Sequence, residues 1–110
     1  MATETDYVWL AGLLEGEGCF LLTKQDGRLV PRIQLSMTDK DVVERAAKII
    51  NGNINMNKLT KRGKEVWRTT TARPENLVLI LTRILPHMGK RRTIKIKELL
   101  EFLGGVSSRM

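Results

Sequence analysis

The spacing of hydrophobic residues in the first third of the chain predicts a helix followed by a hairpin. The helix is expected to begin with Thr5 or Asp6 as its N-cap and to end at the glycines that follow Leu14. Residues 19–25 and 29–37 indicate two strands, and the Asp-Gly pair between them is typical of a two-residue hairpin turn. This part of the chain is therefore expected to be α-β-β.

The same order is predicted to repeat in the next segment. Thr38 is expected as the N-cap of a second helix, with Asp41 completing a capping box and Asn51 ending the helix. Residues 53–59 alternate asparagine with apolar residues, which predicts a half-buried strand, and residues 66–71 predict its partner. A second hairpin is therefore expected.

Two more helices complete the pattern. Pro74 is expected in the first turn of an apolar helix that ends at Leu85, and a last helix is expected from about Thr93 to Gly104. Two hairpins, each followed by a helix, predict an α+β fold with one four-stranded antiparallel sheet and helices on one face. The expected order is αββαββα plus one helix, in a single domain that spans residues 1–110.

Charge adds a first indication of the partner. The net charge is +7, but residues 1–57 hold 6 basic and 8 acidic side chains (net −2), whereas residues 58–110 hold 13 and 4 (net +9). This predicts an anionic partner, either nucleic acid or a membrane surface. No apolar run approaches the roughly 18 residues of a membrane span, and the acidic N-terminus is unlike a secretory signal. We expect an intracellular protein, which is not secreted.

One cysteine and one histidine limit the chemistry of any metal site. Cys19 has no second cysteine with which to form an internal disulfide. Cys19 and His87 together also provide too few ligands for a zinc site built from cysteine and histidine. Any metal ion is therefore expected to bind to oxygen ligands.

The outer face of the predicted sheet is polar. Its amides, hydroxyls and guanidiniums are the groups that recognise base edges in a DNA major groove, although any solvated sheet face is also polar. The excess of Asn, Gln and Arg over acids favours DNA contact. The expected DNA-binding residues are Lys24 or Gln25, Arg32, Gln34, Ser36, Asn55, Asn57, Arg68 and Thr70.

The end of the first helix carries the most unusual chemistry. Gly12 and Gly16 are four residues apart and would let a second helix, such as that of another copy, approach closely. Glu15 and Glu17 lie at the helix C-terminus, where the macrodipole disfavours acids. An ordinary C-cap with exposed glutamates is one explanation. The other is a site for a hard divalent cation, with both copies of Glu17 side by side.

The stretch "LAGLLEGEG", Leu10–Gly18, resembles the LAGLIDADG motif of homing endonucleases, with glutamates where the motif has aspartates. The resemblance extends over nearly the whole chain, because αββαββα is that family's unit fold. It implies an enzyme that cuts both DNA strands with Mg²⁺, leaving short 3′ overhangs, at a long pseudo-palindromic site. One motif in the chain implies a homodimer, whose interface residues would be Leu10, Gly12, Leu13 and Gly16.

The resemblance also implies roles for individual residues. The last acid of the motif, Glu17, would hold the metal with the carbonyl of Gly16. A second catalytic polar residue falls on Asp39, or on Thr38 beside it. The segment "LPHMGKRR", residues 85–92, is similar to the one that brings a basic residue to the site, here Lys90 or its neighbour Arg91.

Two alternatives remain open from the sequence. Glutamate is one methylene longer than aspartate at the metal position, so DNA or RNA binding could persist without cleavage, as in a maturase or a DNA-binding regulator. A small metal-dependent enzyme unrelated to nucleic acids would leave the polar sheet face and the basic second half unexplained.

Overall fold

A computed structural model of the protein describes residues 2–107, with side chains described as far as residue 104. The described chain follows the predicted order of helices and strands. The elements are α1 (Glu4–Glu17), β1 (Gly18–Gln25), β2 (Arg28–Met37), α2 (Lys40–Ile50), β3 (Asn53–Leu59), β4 (Glu65–Thr71), α3 (Pro74–Ile84), a short 3-10 turn (Leu85–His87) and α4 (Lys90–Ser107).

The four strands form one antiparallel sheet in the order β1-β2-β4-β3, with the helices packed on one face. The buried core lies between the sheet and the helices and contains side chains from all four helices and from β1 and β2. This confirms the predicted α+β architecture. Alternation explains the arrangement, because apolar side chains of β2 such as Ile33 and Leu35 lie on the helix side and their neighbours on the open side.

The turn between β1 and β2 sets the register of that hairpin. Asp26 and Gly27 both have positive φ, 51° and 78°, as a type I′ turn requires. Gln25 consequently pairs with Arg28, and the antiparallel register continues regularly to the pair of Gly18 with Leu35. Which side chains of β1 reach the open face therefore follows from this one turn.

Helix α1 begins earlier than predicted. Thr3, not Thr5 or Asp6, is the N-cap: its hydroxyl accepts a hydrogen bond from the Asp6 N–H at 3.2 Å, and the Asp6 carboxylate accepts one from the Thr3 N–H at 2.9 Å. That backbone hydrogen bond lowers the pKa of Asp6 below its ordinary value. Asp6 is thus the N3 residue of a capping box.

Helix α2 begins later than predicted, and the expected capping box is wrong. Strand β2 continues to Met37, which still pairs with Trp67, so Thr38 and Asp39 are needed to turn the chain. Asp39 occupies the N-cap position, but its side chain makes no capping hydrogen bond. The carboxylate of Asp39 therefore has no role in closing this helix.

Strand β3 is not half-buried, as its alternation predicted. It forms an edge of the sheet, and all seven of its residues are exposed. The apolar residues Ile54, Met56 and Leu59 are 37%, 50% and 58% exposed, because α2 packs mainly on β4 and leaves this edge uncovered. The alternation of polar and apolar residues predicted the strand correctly, but it did not predict how deeply the strand is buried.

Helix α4 extends beyond its predicted bounds at both ends. It begins at Lys90, after Gly89, whose carbonyl accepts a hydrogen bond from the Thr93 N–H at 2.9 Å. It also continues through Gly104 to Ser107. The buried residue Leu103 anchors this last part to the core, and such packing outweighs the low helix propensity of glycine.

Gly18, the last residue of the motif, gives a prediction about stability. A Cβ at Gly18 would lie 2.9 Å from both Cα and Cβ of Leu14 and 2.5 Å from its Cδ2. Gly18→Ala should therefore lower the free energy of unfolding by about 1–3 kcal/mol, as overpacking does. Gly104→Ala is the control, because its Cβ would meet nothing within 4 Å. Urea unfolding of both variants tests this, and equal stabilities would contradict the packing described here.

Candidate active site and nucleic-acid interface

Glu17 is the last residue of α1, and its side chain is exposed. Among the side chains that the structure describes, as far as residue 104, its carboxylate has no hydrogen-bond or ion-pair partner. The last turn of α1 holds no basic residue. The carboxylate therefore adds its charge to the negative end of the helix macrodipole, and this end of α1 attracts cations.

The donor atoms at this end of α1 suit a hard divalent cation. The final carbonyls of a helix have no partner inside the helix, and the carbonyl of Gly16 is one of them. Carboxylate and carbonyl oxygens are the ligands that Mg²⁺ and Ca²⁺ prefer. Across the part of the chain that the structure describes, no three side chains of His, Cys, Asp or Glu come together to form a metal site.

Glu15 lies only two residues before Glu17 but has a different environment. Its carboxylate accepts a short hydrogen bond from the backbone N–H of Gly89, and its Oε2 is 3.7 Å from Nε of Arg92. These contacts bring the beginning of α4 beside the last turn of α1. Lys90 and Arg91 are the first two residues of α4, and both are exposed there.

Asp39 lies at the same end of the sheet as the end of α1. Gly18 pairs with Leu35, so the residues that follow Leu35 in β2 extend past the point where α1 ends. Both Thr38 and Asp39 are exposed, and together with Trp67 they line a shallow depression in the surface. The structure therefore places the start of α4 beside the last turn of α1, and it places Thr38 and Asp39 beyond the end of β2, next to Lys64 and Glu65.

The outer face of α1 is apolar and has two gaps. Gly12 and Gly16 are exposed, and a Cβ added at either would meet nothing within 4 Å. Leu13 is half-buried and Val8 is 46% exposed on the same helix. Leu10 is different: it is 0% exposed and belongs to the core. The expectation that Leu10 lies in a dimer interface is therefore wrong, since its side chain is already enclosed within one chain.

The open face of the sheet carries most of the polar residues that were expected on it from the sequence. Partners across the strands share this face, as shown by the pairing of Gln34 with Thr70 and of Asn55 with Arg68. The predicted residues on this face are Gln25, Arg32, Gln34, Ser36, Asn55, Arg68 and Thr70.

Hydrogen bonds between strands orient several of these side chains. Arg32 donates through Nε to the Thr23 hydroxyl at 3.3 Å and through Nη2 to the Gln25 amide oxygen. Arg68 donates through Nε to the Ser36 hydroxyl at 3.4 Å. Such pairs restrict the rotamers of long side chains before any ligand binds, which lowers the entropy lost on binding.

Two of the predicted residues lie elsewhere. Lys24 pairs with Leu29 and lies on the helix side of the sheet. Of the two alternatives Lys24 and Gln25, only Gln25 therefore lies on the open face. Asn57 falls in a β-bulge, where β3 has one more residue than β4. The bulge shifts the alternation, and Lys58, paired with Val66, takes the position on the open face that Asn57 was expected to occupy.

Other residues of the open face were not predicted. The register of the β1–β2 hairpin could have revealed those on its two strands, because the Asp-Gly turn fixes every pair. Two of them, Leu21 and Val30, are half-buried apolar residues of a type that contacts thymine methyl groups, and a third apolar residue, Val66, is buried. The residues missed on this face are Cys19, Leu21, Thr23, Arg28, Val30, Asn53, Lys58 and Val66.

Positive charge is concentrated at two places. One is the turn between β3 and β4, where Lys61, Arg62 and Lys64 are exposed close to Lys58. The other is the first turn of α4. Exposed lysine and arginine side chains at the ends of a polar surface are suited to phosphate contacts, which position a protein on DNA without reading its sequence.

Comparisons with known proteins identify the fold. No family model and no curated protein sequence matches the chain. Solved structures do match. The homing endonuclease I-CvuI, crystallised with DNA, has a TM-score of 0.72 and 15% identity over 92% of this chain and 67% of its own. The homing endonuclease I-TnaI has a TM-score of 0.74 and 15% identity, and the match covers 93% of this chain and 74% of that one.

A third match is the LAGLIDADG meganuclease I-AabMI bound to uncleaved DNA, with a TM-score of 0.76 and 14% identity. The match covers 93% of this chain but 37% of that one. At such identities the likeness concerns the fold. The motif at Leu10–Gly18, the strand order β1-β2-β4-β3 and these matches agree, and the chain has the fold of the LAGLIDADG homing endonucleases.

Proposed function

We propose that the protein is an intracellular DNA endonuclease that acts as a homodimer and cuts both strands of a long pseudo-palindromic site, leaving short 3′ overhangs. One observation carries this proposal. The exposed carboxylate of Glu17 ends α1 on the side of the molecule where the cations of α4 begin, and an open sheet face of paired polar side chains adjoins it. In this proposal residues 1–110 are one domain of the dimer.

The outer face of α1 supports the proposed dimer. Its apolar side chains around Gly12 and Gly16 would pack against the same face of a second copy, and the glycines would allow the two backbones to approach closely. A two-fold axis between the helices would place both Glu17 carboxylates near each other at the helix ends. The two sheets would then form one extended surface with two-fold symmetry, which suits a pseudo-palindromic site.

The proposed chemistry depends on Glu17. Its carboxylate and the Gly16 carbonyl would hold Mg²⁺, and the ion would supply positive charge for activating water and stabilising the leaving 3′ oxygen in phosphodiester hydrolysis. Lys90, or Arg91 beside it, would neutralise the charge that develops on the scissile phosphate. Asp39, or Thr38 before it, would orient water by hydrogen bonding. The carboxylate of Asp39 is available for this role because it does not cap α2.

Base recognition is proposed for the open sheet face. An antiparallel sheet places side chains from adjacent strands in rows, and the major groove presents a distinct hydrogen-bonding pattern for each base pair. Arginine is suited to guanine, whereas asparagine and glutamine are suited to adenine. Arg32, Gln34 and Asn55 are the proposed base contacts.

Arg32 provides the test of this face. If it contacts a guanine edge, Arg32→Ala should weaken binding to the target by about 1–3 kcal/mol and relax specificity at one position of each half-site. Lys24→Ala is the matched control, because it removes a nearby cation from the opposite face of the sheet and should leave specificity unchanged. Binding of each variant to a panel of single-base target variants measures both effects. An equal loss across all sequences would make Arg32 a phosphate contact.

A binding protein without cleavage is the second candidate. The observation that favours it is Glu17 itself, because glutamate extends one methylene farther than the aspartate of the motif. Such a protein, a maturase or a DNA-binding regulator, would keep the sheet face and the dimer. Incubation of the protein with its target in Mg²⁺ separates the two functions, since only the endonuclease would nick or cut the DNA.

A further inference from the structure

The first turn of α4 has the wrong charge for its position. Its first three residues are Lys90, Arg91 and Arg92, and the first turn contains no acid. The N-terminus of a helix is the positive end of its macrodipole, so cations there are unfavourable. A negative charge outside α4 would offset this repulsion and stabilise the helical conformation of its first turn.

Glu15 supplies the missing negative charge. In a capping box, the N3 side chain accepts a hydrogen bond from the N-cap N–H. In α4 the N3 residue is Arg92, and the N-cap Gly89 donates its N–H to Glu15, which lies 74 residues earlier in the sequence. The carboxylate of α1 thus takes the place of the acid that α4 lacks.

The surroundings of Glu15 are built for this contact. A Cβ at Gly89 would lie 2.9 Å from Oε1 of Glu15, so a side chain at this position would push the carboxylate away from the Gly89 N–H. Arg92, whose side chain is only 20% exposed, places Nε 3.7 Å from Oε2 of Glu15 and packs its guanidinium 5.9 Å from the ring centre of Phe20. Within the described structure, Glu15 therefore joins α1 to α4, and Arg92 extends the contact to β1.

We propose that Glu15 is a positioning residue: it closes the N-terminus of α4 and thereby holds Lys90 and Arg91 beside the end of α1. The inference rests on the proposed endonuclease function. Glu15 has no contact with DNA or metal in this account and acts through the cations that it orients. The two glutamates of the motif thus differ in role: Glu17 contacts the substrate, and Glu15 fixes the position of the helix that carries Lys90 and Arg91.

Glu15→Ala is the main variant, with Glu15→Gln as the conservative one. The alanine variant removes the acceptor, whereas the glutamine variant keeps an oxygen for the Gly89 N–H. We expect the single-turnover cleavage rate in Mg²⁺ to fall about tenfold to a hundredfold for Glu15→Ala and by less for Glu15→Gln, which keeps the hydrogen-bond acceptor and loses only the charge. The probe is a duplex selected by the wild type from random-sequence DNA in Ca²⁺. The Kd for this duplex should stay equal or decrease, because the variant loses negative charge.

Gly89→Ala is a second, independent variant. Its methyl group should displace the Glu15 carboxylate and reproduce the rate defect, and the two changes combined should be no worse than either alone. Amide hydrogen exchange adds a measurement that does not need activity: the Gly89 N–H should be protected in the wild type and in Glu15→Gln, and exposed in Glu15→Ala.

The outcomes separate this inference from the proposed function. Unchanged cleavage by Glu15→Ala, or an unprotected Gly89 N–H in the wild type, would overturn the role of Glu15 and leave the endonuclease intact. Weaker DNA binding in step with the lower rate would also overturn it, since that is the mark of general structural damage. A wild type that cuts no DNA would refute the function, and the exchange measurement would still decide whether Glu15 closes α4.

Discussion

Replacing Glu17 with glutamine is expected to reduce DNA cleavage by orders of magnitude while DNA binding stays as tight as in the wild type or becomes tighter. Glutamine keeps the shape and one oxygen of the side chain but removes the charge that retains Mg²⁺. Two negative charges near the phosphates disappear from the dimer, which favours binding. Glu17 forms no ion pair within the described residues and lies at the negative end of the α1 macrodipole, so the substitution should not lower stability.

The control for this prediction is Glu44→Gln, which removes an equal charge from the exposed side of α2 and should cut DNA at the wild-type rate. Plasmid cleavage in Mg²⁺ and binding in Ca²⁺ measure the two effects separately, because Ca²⁺ is expected to support binding without cutting. Cleavage by Glu17→Gln at the wild-type rate would remove this residue from the active site.

Replacing Gly12 with valine should convert the protein from a dimer to a monomer and abolish specific DNA binding. A Cβ at Gly12 meets nothing within 4 Å inside the chain, so a side chain at this position begins in open space on the surface of the monomer. Its side chain would instead project from the outer face of α1 into the space that the second helix is proposed to fill. Valine also has a higher helix propensity than glycine, so the monomer itself should be no less stable.

Sedimentation velocity at micromolar concentration measures the state of assembly, and thermal unfolding monitors the fold. Gly104→Val is the matched control: it makes the same change at another open position, on α4, and should remain dimeric. A wild type that is monomeric under these conditions would contradict the proposed assembly, as would a dimeric Gly12→Val variant.

Local patterns in the sequence predicted the order of elements and the sheet because each element carries its own signal. The Asp26-Gly27 turn, the alternation in β2 and Pro74 in the first turn of α3 are all local features that the structure retains. The predicted depth of β3 was wrong, since burial depends on where α2 packs rather than on the strand's own period.

The candidate site was predictable only in part, because several of its features depend on tertiary contacts. Leu10 has the same apolar character as Leu13, and only the packed structure shows that Leu10 is enclosed in the core. The bulge that brings Lys58 to the open face has no marker in the sequence. The contact between Glu15 and Gly89 spans 74 residues, so no local pattern could indicate it.

One measurement tests the central proposal most directly. Wild-type protein and Glu17→Gln are incubated in Mg²⁺ with duplexes that the wild type selected from random-sequence DNA, and the ends produced are sequenced. The wild type should make double-strand breaks with short 3′ overhangs at the centre of a pseudo-palindromic sequence, and Glu17→Gln should make almost none. Duplexes that are tightly bound but remain intact with both proteins would contradict it.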